Sequence, residues 1–273
     1  MPKLQGIQIV LLDIEGTICP ISFVKETLFP FALRALPAVL ATQWNTSTFI
    51  PYRQAFPPQH SASPATLQAH VEDLTNRDVK IAYLKDLQGF LWESGFETGE
   101  YATPLFDDVV PRLREWRERG VGLGVYSSGS VVAQKLLFRH VSVHVGEAAR
   151  VGGKGGAGGG GPKQVSSPSS AEGHRAAETE DLRDLVTEGG WFDTTNAGLK
   201  TEASSYGKIV ETLGWHAART LFLTDNVGEY DAAASAGLRV ILLDRPGNAP
   251  VSAADMARMD VVQSLDDIEL VEK

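Results

Sequence analysis

Asp13 and Glu15 stand two residues apart at the end of an apolar run, Ile7–Leu12, and Gly16-Thr17 follows at once. In an extended chain, residues i and i+2 point the same way, so these two carboxylates can converge on one ligand. A polar loop after a strand would read the same locally. A further carboxylate closes Leu221-Phe222-Leu223-Thr224-Asp225-Asn226, with Glu229 four residues on. Carboxylates of this kind are hard oxygen ligands and suit Mg²⁺, which keeps waters and binds one or two carboxylates plus a substrate phosphate. Asp225 as a simple cap of the next helix is the competing reading.

Tyr126-Ser127-Ser128-Gly129-Ser130 ends another apolar run where a helix begins. Seryl hydroxyls and free backbone N–H groups at a helix start suit a phosphate, although an ordinary serine N-cap uses the same residue type. Lys200 ends the turn-rich stretch Asn196-Ala197-Gly198-Leu199-Lys200. A lone loop lysine is solvated charge unless other groups converge on it. Three further features read as structure. Cys19 has no neighbouring activator and reads as a packed side chain, since thiol reactivity needs a depressed pKa. His140 and His144 border a Gly-rich stretch and read as a solvated pair. Trp92, Trp116 and Trp191 read as core or lid packing.

The elements that must hold these groups follow from the apolar pattern. Ile7–Leu12, Val121–Tyr126, Thr220–Leu223 and Arg239–Leu243 predict buried strands. Helical spacing over 112–119, 131–140, 206–213 and 230–236 separates them, which indicates an α/β fold on a parallel sheet. Gly120, Gly214 and Gly237 fall where helices should stop. Residues 23–103 interrupt the alternation. The spacing predicts helices over 23–40, 65–80 and 81–92, with Pro51, Pro57, Pro58 and Pro64 breaking the region between, so a helical cap after the first strand is expected. The domain reading is a catalytic core of 1–22 and 104–273 with a cap of 23–103. Residues 145–180 read as a disordered insertion: Gly152–Gly161 holds eight of the 27 glycines, and such a tract buries too little apolar surface to offset its chain entropy. Deleting 150–175 is expected to leave activity largely unchanged.

The whole chain has 273 residues, 43% hydrophobic and 22% charged, which suits a globular protein. Its formal charge of −9 argues against nonspecific nucleic-acid binding, which phosphate neutralisation drives. One cysteine permits no intrachain disulfide and suits a reducing compartment. No apolar run has membrane length. A cytoplasmic monomer is expected, with nothing to bar the nucleus and with no nucleic-acid or membrane partner.

Carboxylate pair, hydroxyl, lysine and carboxylate, in that order, resemble the haloacid dehalogenase-like superfamily of phosphotransferases, whose fold is a Rossmann-like parallel sheet. The resemblance narrows to the enolase-phosphatase E1 family, the acireductone synthases of methionine salvage. It rests on Asp13-Ile14-Glu15-Gly16-Thr17 with Pro20-Ile21 and Phe23-Val24-Lys25, then on Leu87-Gln88-Gly89 with Trp92 and on Phe106-Asp107-Asp108-Val109-Val110-Pro111. Trp116-Arg117, Tyr126–Ser130, Ala133–Phe138, Phe222–Asp225 and Arg245-Pro246-Gly247-Asn248-Ala249 complete it. Most of the superfamily has Asp where Glu15 stands. The chain departs from the family at Ile18 and Cys19, where Thr is usual, and at Asn196, where Lys is frequent.

The resemblance implies enolisation of 2,3-diketo-5-methylthiopentyl 1-phosphate, then its dephosphorylation to 1,2-dihydroxy-3-keto-5-methylthiopentene. It implies Asp13 as the nucleophile that forms an aspartyl phosphate. One Mg²⁺ per subunit would be held by Asp13, Asp225 and the backbone carbonyl of Glu15. Lys200 would neutralise a phosphate oxygen, and Ser127 and Ser128 would donate to the phosphoryl group. Glu15 is expected to support proton transfer, and Glu229 to hold Lys200 or the metal's surroundings. The enolisation base is left open. A superfamily phosphatase acting on another small phosphate ester is the alternative. A non-catalytic phosphate-binding protein of the same fold is opposed by the presence of both the nucleophile and the metal carboxylate.

Overall fold

The computed structural model describes residues 2–143 and 178–271. Most of the Gly/Ser-rich stretch assigned to an insertion lies outside them, as does His144. The chain opens with β1 (Lys3–Gln5) and β2 (Ile9–Leu12). A π-helical turn, Phe23–Leu28, runs into α1 (Phe29–Gln43), followed by α2 (Ile50–Gln54), α3 (Pro64–Asn76) and α4 (Ala82–Glu97). Then come α5 (Val109–Glu118), β3 (Gly122–Tyr126), α6 (Val131–Arg139), β4 (Val141–Ser142), β5 (Thr179–Glu180) and β6 (Trp191–Phe192). The remainder is α7 (Ala203–Thr212), β7 (Thr220–Thr224), α8 (Val227–Ser235), β8 (Arg239–Leu243), α9 (Ala253–Met256), β9 (Val261–Val262) and β10 (Glu269–Val271).

Six strands form one parallel sheet in the order β6-β3-β2-β7-β8-β9. Alternate residues feed opposite faces. Val10, Leu12, Leu123, Val125, Leu221 and Leu223 join one core, which continues into the helical segment. Leu11, Tyr126 and Phe222 face the other way, onto Tyr206 and Ile209 of α7 and Ala233 of α8. Burial on both faces explains why these strands read as continuous apolar runs. The chain leaves β2 toward β3 and β6, then returns to the other side of β2 as β7. The carboxyl ends of β2 and β7 therefore flank the topological switch point, where open α/β sheets place ligands.

The predicted helix stops hold: Gly120, Gly214 and Gly237 all have positive φ, between 65° and 86°. Three local expectations are corrected. The expected helix over 65–80 ends at Asn76, because Asp78 takes φ 52° and turns the chain. Pro51 and Pro64 begin helices rather than merely breaking them, since the first helical turn has no use for the missing N–H. Residues 179–180, expected within the disordered stretch, pair antiparallel with Val141–Ser142. The pairing of β1 with β10 gave no sequence signal. Among the described residues no helix is long and apolar enough to cross a membrane.

Candidate active site

Asp13 follows β2 directly, and its N–H donates to Leu223 O of β7 at 2.9 Å, so the register brings the ends of both strands together. Its carboxylate is buried. Oδ1 accepts from its neighbour Ile14 N at 2.8 Å and from Lys200 Nζ at 2.6 Å, while Oδ2 accepts no hydrogen bond among the described residues. One oxygen is thus fixed and the other is left free.

The solitary loop lysine becomes a buried cation. Lys200 is 6% exposed and bridges Asp13 to Glu229 Oε2, at 2.7 Å. Two tyrosines pin its loop: Tyr206 Oη donates to Lys200 O at 2.7 Å and Tyr126 Oη to Gly198 O at 2.8 Å. Gly198 has φ 124°, and a Cβ there would meet Ser205 Oγ at 2.5 Å, so a glycine is required two residues before the lysine. The ammonium also lies 5.8 Å from the ring centroids of Tyr126 and Phe222. Burial pulls the Lys200 pKa down, but Asp13 and Glu229 overcome it and hold the group protonated, above its ordinary value.

The helix caps settle two of the competing readings. Ser130 caps α6, its side chain accepting from Ala133 N, and this leaves Ser127 and Ser128 free of that duty. Asn226 caps α8, accepting from Gly228 N and Glu229 N, so Asp225 is not the cap. Ser127 Oγ donates to Glu15 Oε2 and accepts from Gly129 N, both at 3.1 Å. Glu15 is therefore turned toward the seryl loop. Glu229, whose Oε2 also accepts from Thr224 Oγ1 at 2.7 Å, holds Lys200 as expected. Cys19 is buried, and burial pushes its thiol pKa up, which fits a packed side chain. His140 departs from the solvated reading: its ring stacks on Phe96 at 5.2 Å between centroids and its Nε2 is buried.

Lys85 of α4 had no signal beyond helical spacing. It donates to Ser128 O at 2.5 Å. Desolvation lowers its pKa, with Glu15 opposing. Lys85, Glu15, Ser127 and Ser128 line a cavity of about 170 Å³. Ile21, Val24, Leu28, Phe29, Leu84 and Trp92 form its apolar part. The helical segment thus supplies most of the apolar wall together with Lys85, and the sheet edge supplies Glu15, Ser127 and Ser128.

The carboxylates also fit a divalent cation. Burial raises the pKa of Asp13 well above the ordinary carboxylate value; Lys200 opposes this, and Glu229, Asp225 and Glu15 add to it. Burial, then Glu229, pushes Asp225 up to about 6. One ammonium leaves this acidic group under-neutralised, which is the electrostatic condition a divalent cation relieves. Gly16 passes so close that a Cβ would lie 2.3 Å from Asp225 Oδ2. Two carboxylates and a peptide carbonyl suit Mg²⁺, which retains waters. Such a donor set need not contain three clustered side-chain ligands, and none is found among the described residues.

No family model matches the chain. It is 46% identical over 268 residues to Enolase-phosphatase E1 of Podospora anserina, covering 96% of this chain and 97% of that relative. The crystal structure of the UTR4 protein (Unknown transcript 4 protein) of Saccharomyces cerevisiae is similar at TM-score 0.72 and 35% identity, covering 96% of this chain and 99% of that one. CbbY from Rhodobacter sphaeroides, crystallised with phosphate, matches at TM-score 0.55 and 14% identity over 96% of each chain, a likeness of fold alone.

Proposed function

The chain belongs to the enolase-phosphatase E1 family, on a haloacid dehalogenase-like fold, and from that premise we propose that one pocket performs both halves of the reaction. The substrate is 2,3-diketo-5-methylthiopentyl 1-phosphate and the product the acireductone of methionine salvage. The observation that carries this reading is the buried Asp13–Lys200–Glu229 bridge beside a cavity whose polar end is Glu15, Ser127, Ser128 and Lys85.

In this reading residues 23–103 are a cap over a core of 1–22 and 104–273, and the apolar wall receives the methylthio tail. Asp13, Asp225 and the Glu15 carbonyl hold Mg²⁺, which when bound offsets the repulsion between carboxylate and phosphate. Lys200 neutralises a phosphoryl oxygen and Ser128 donates to another, while Ser127, whose single hydroxyl proton points at Glu15 in the free protein, turns that proton to the phosphoryl group when substrate binds. Asp13 Oδ2, the carboxylate oxygen without a hydrogen bond, attacks phosphorus as the bond to the leaving oxygen breaks. Water then attacks phosphorus as the bond to Asp13 Oδ2 breaks, restoring the carboxylate and releasing inorganic phosphate, and the proton that water gives up balances the one taken up by the departed oxygen.

Enolisation requires a proton to leave the carbon alpha to a carbonyl. Glu15 and Lys85 are the ionisable side chains tied to the seryl loop, one accepting from Ser127 and the other donating to Ser128 O. We assign the proton transfer to this pair, which supplies the base the sequence left open.

The test is a coupled assay with the diketone phosphate that follows enol absorbance and phosphate together, with and without Mg²⁺. Enol should appear before or with phosphate, and removing the metal should abolish phosphate release. Phosphate without any enolised species would refute the enolase half and leave a phosphatase of another ester.

A further inference from the structure

Phe106-Asp107-Asp108 and Arg245-Pro246-Gly247-Asn248 both carried the family resemblance, yet neither has a part in the chemistry above. They meet each other. Arg245 is 5% exposed; its Nη1 and Nη2 donate to Asp108 Oδ1 and Oδ2 at 3.0 and 2.8 Å, and Nη1 also reaches Gln263 O at 3.0 Å. The guanidinium carbon lies 4.5 Å from the Phe106 ring centroid. Ser264 Oγ donates to Asp108 Oδ2 as well, at 2.9 Å. A buried bidentate pair stacked on an aromatic ring has little freedom to move.

This clamp grips the turn after Asp13 by three consecutive carbonyls. Gly16 O accepts from Asn248 Nδ2 at 2.8 Å, Thr17 O from Arg245 Nε at 3.1 Å, and Ile18 O from Phe106 N at 3.1 Å. Asn248 Nδ2 also donates to Leu243 O at 3.1 Å, at the end of β8, and so ties the turn to the sheet. Gly16 is wedged between two groups: a Cβ on it would lie 2.3 Å from Asp225 Oδ2 and 3.0 Å from Asn248 Oδ1. That Asn248 oxygen is buried and has no hydrogen-bond partner among the described residues.

We propose that Asn248 and Arg245 are positioning residues: by holding the Gly16 and Thr17 carbonyls they fix the Gly16 turn against Asp225, and with it the Glu15 carbonyl just before the turn, and so shape the cation site without touching the cation. The proposal rests on the metal reading given above. It has a physical basis in the behaviour of groups that orient metal ligands, whose loss typically weakens metal affinity or activity by about 10- to 100-fold.

The test uses the full chain with Mn²⁺ as the probe. Mn²⁺ affinity is measured by titration calorimetry for wild type, Asn248→Ala, Arg245→Lys and Asp225→Asn, alongside Tm, kcat and KM. Asn248→Ala should retain its fold and bind Mn²⁺ about tenfold more weakly. Its kcat at saturating Mn²⁺ should fall while KM stays within about twofold. Arg245→Lys keeps the charge but loses the fork, and should weaken Mn²⁺ binding in the same direction. If it fails to fold, Asn248→Ala alone decides. A lowered Tm with unchanged Mn²⁺ affinity and kcat in Asn248→Ala would reduce the clamp to a structural brace and overturn the proposal. Asp225→Asn separates the two readings. If it abolishes Mn²⁺ binding while Asn248→Ala changes nothing, only the positioning role falls. If Asp225→Asn binds Mn²⁺ like wild type, the metal reading falls and takes the positioning role with it.

Discussion

Lys200 and Lys85 are both lysines drawn to a polar site, but their surroundings push them in opposite directions. Two carboxylates hold Lys200 charged, whereas desolvation makes Lys85 give up its proton more readily. A permanent cation suits phosphate neutralisation; a lysine with a lowered pKa suits proton transfer. Lys85→Met should therefore slow enol formation from the diketone phosphate by on the order of 10²-fold or more. Release of phosphate from a simple ester that needs no enolisation should change far less. Stopped-flow enol absorbance set against a phosphate assay checks this, and equal loss in both would remove Lys85 from the enolisation. Asp13, Ser127, Lys200 and Asp225 were legible because residue type and position in the order of elements agree. Lys85 was not: its partner is a backbone carbonyl 43 residues away, and an exposed-type residue at helical spacing carries no mark of that.

At the scale of elements, strand ends place the chemistry and helix caps free it. Ser130 and Asn226 take up the capping duties that would otherwise occupy Ser127, Ser128 or Asp225. The tightest element is the turn after β2, where Gly16 has φ 76°. Gly16→Ala would strain that backbone and drive a methyl group into the Asp225 carboxylate. It should lower stability by about 1–3 kcal/mol and cut Mg²⁺-dependent turnover by more than about tenfold. Thermal unfolding and kcat measured together check both; wild-type turnover at lowered Tm would show that the turn and Asp225 need not be so close. The buried strands and the glycines that stop helices could be read directly, because burial on both faces leaves continuous apolar runs and a positive φ selects glycine. The pairing of β1 with β10 could not, because strands of three residues show no usable period. The grip of 245–248 on Gly16 and Thr17 spans more than 225 residues of sequence and uses backbone acceptors, which any residue supplies.

Across the whole molecule, a chain of formal charge −9 gathers Asp13, Asp225, Glu15 and Glu229 around one buried ammonium. Asp225 titrates at about 6 in the folded protein against 3.8 ordinarily. At Asp225 the folded state therefore binds more protons than the unfolded one across that window, and this carboxylate's contribution to metal-free stability falls as pH rises from about 4 to 6, by up to about 3 kcal/mol. Asp13 is raised too and acts with the same sign. Asp225→Asn should flatten this slope and raise metal-free stability near neutral pH. Mg²⁺ should stabilise wild type above pH 6, where the carboxylates ionise, and not Asp225→Asn. Denaturant unfolding of wild type and Asp225→Asn over pH 4–8, with and without Mg²⁺, measures both; a metal-free difference between the two that does not change from pH 4 to 6 would contradict the assigned carboxylate burial. We propose Asp13 as the phosphoryl acceptor in a pocket that also enolises the substrate, and recording enol absorbance and phosphate release together for wild type and Asp13→Asn decides it. Wild type should produce both signals and Asp13→Asn should release no phosphate; phosphate release by Asp13→Asn at the wild-type rate would contradict the account.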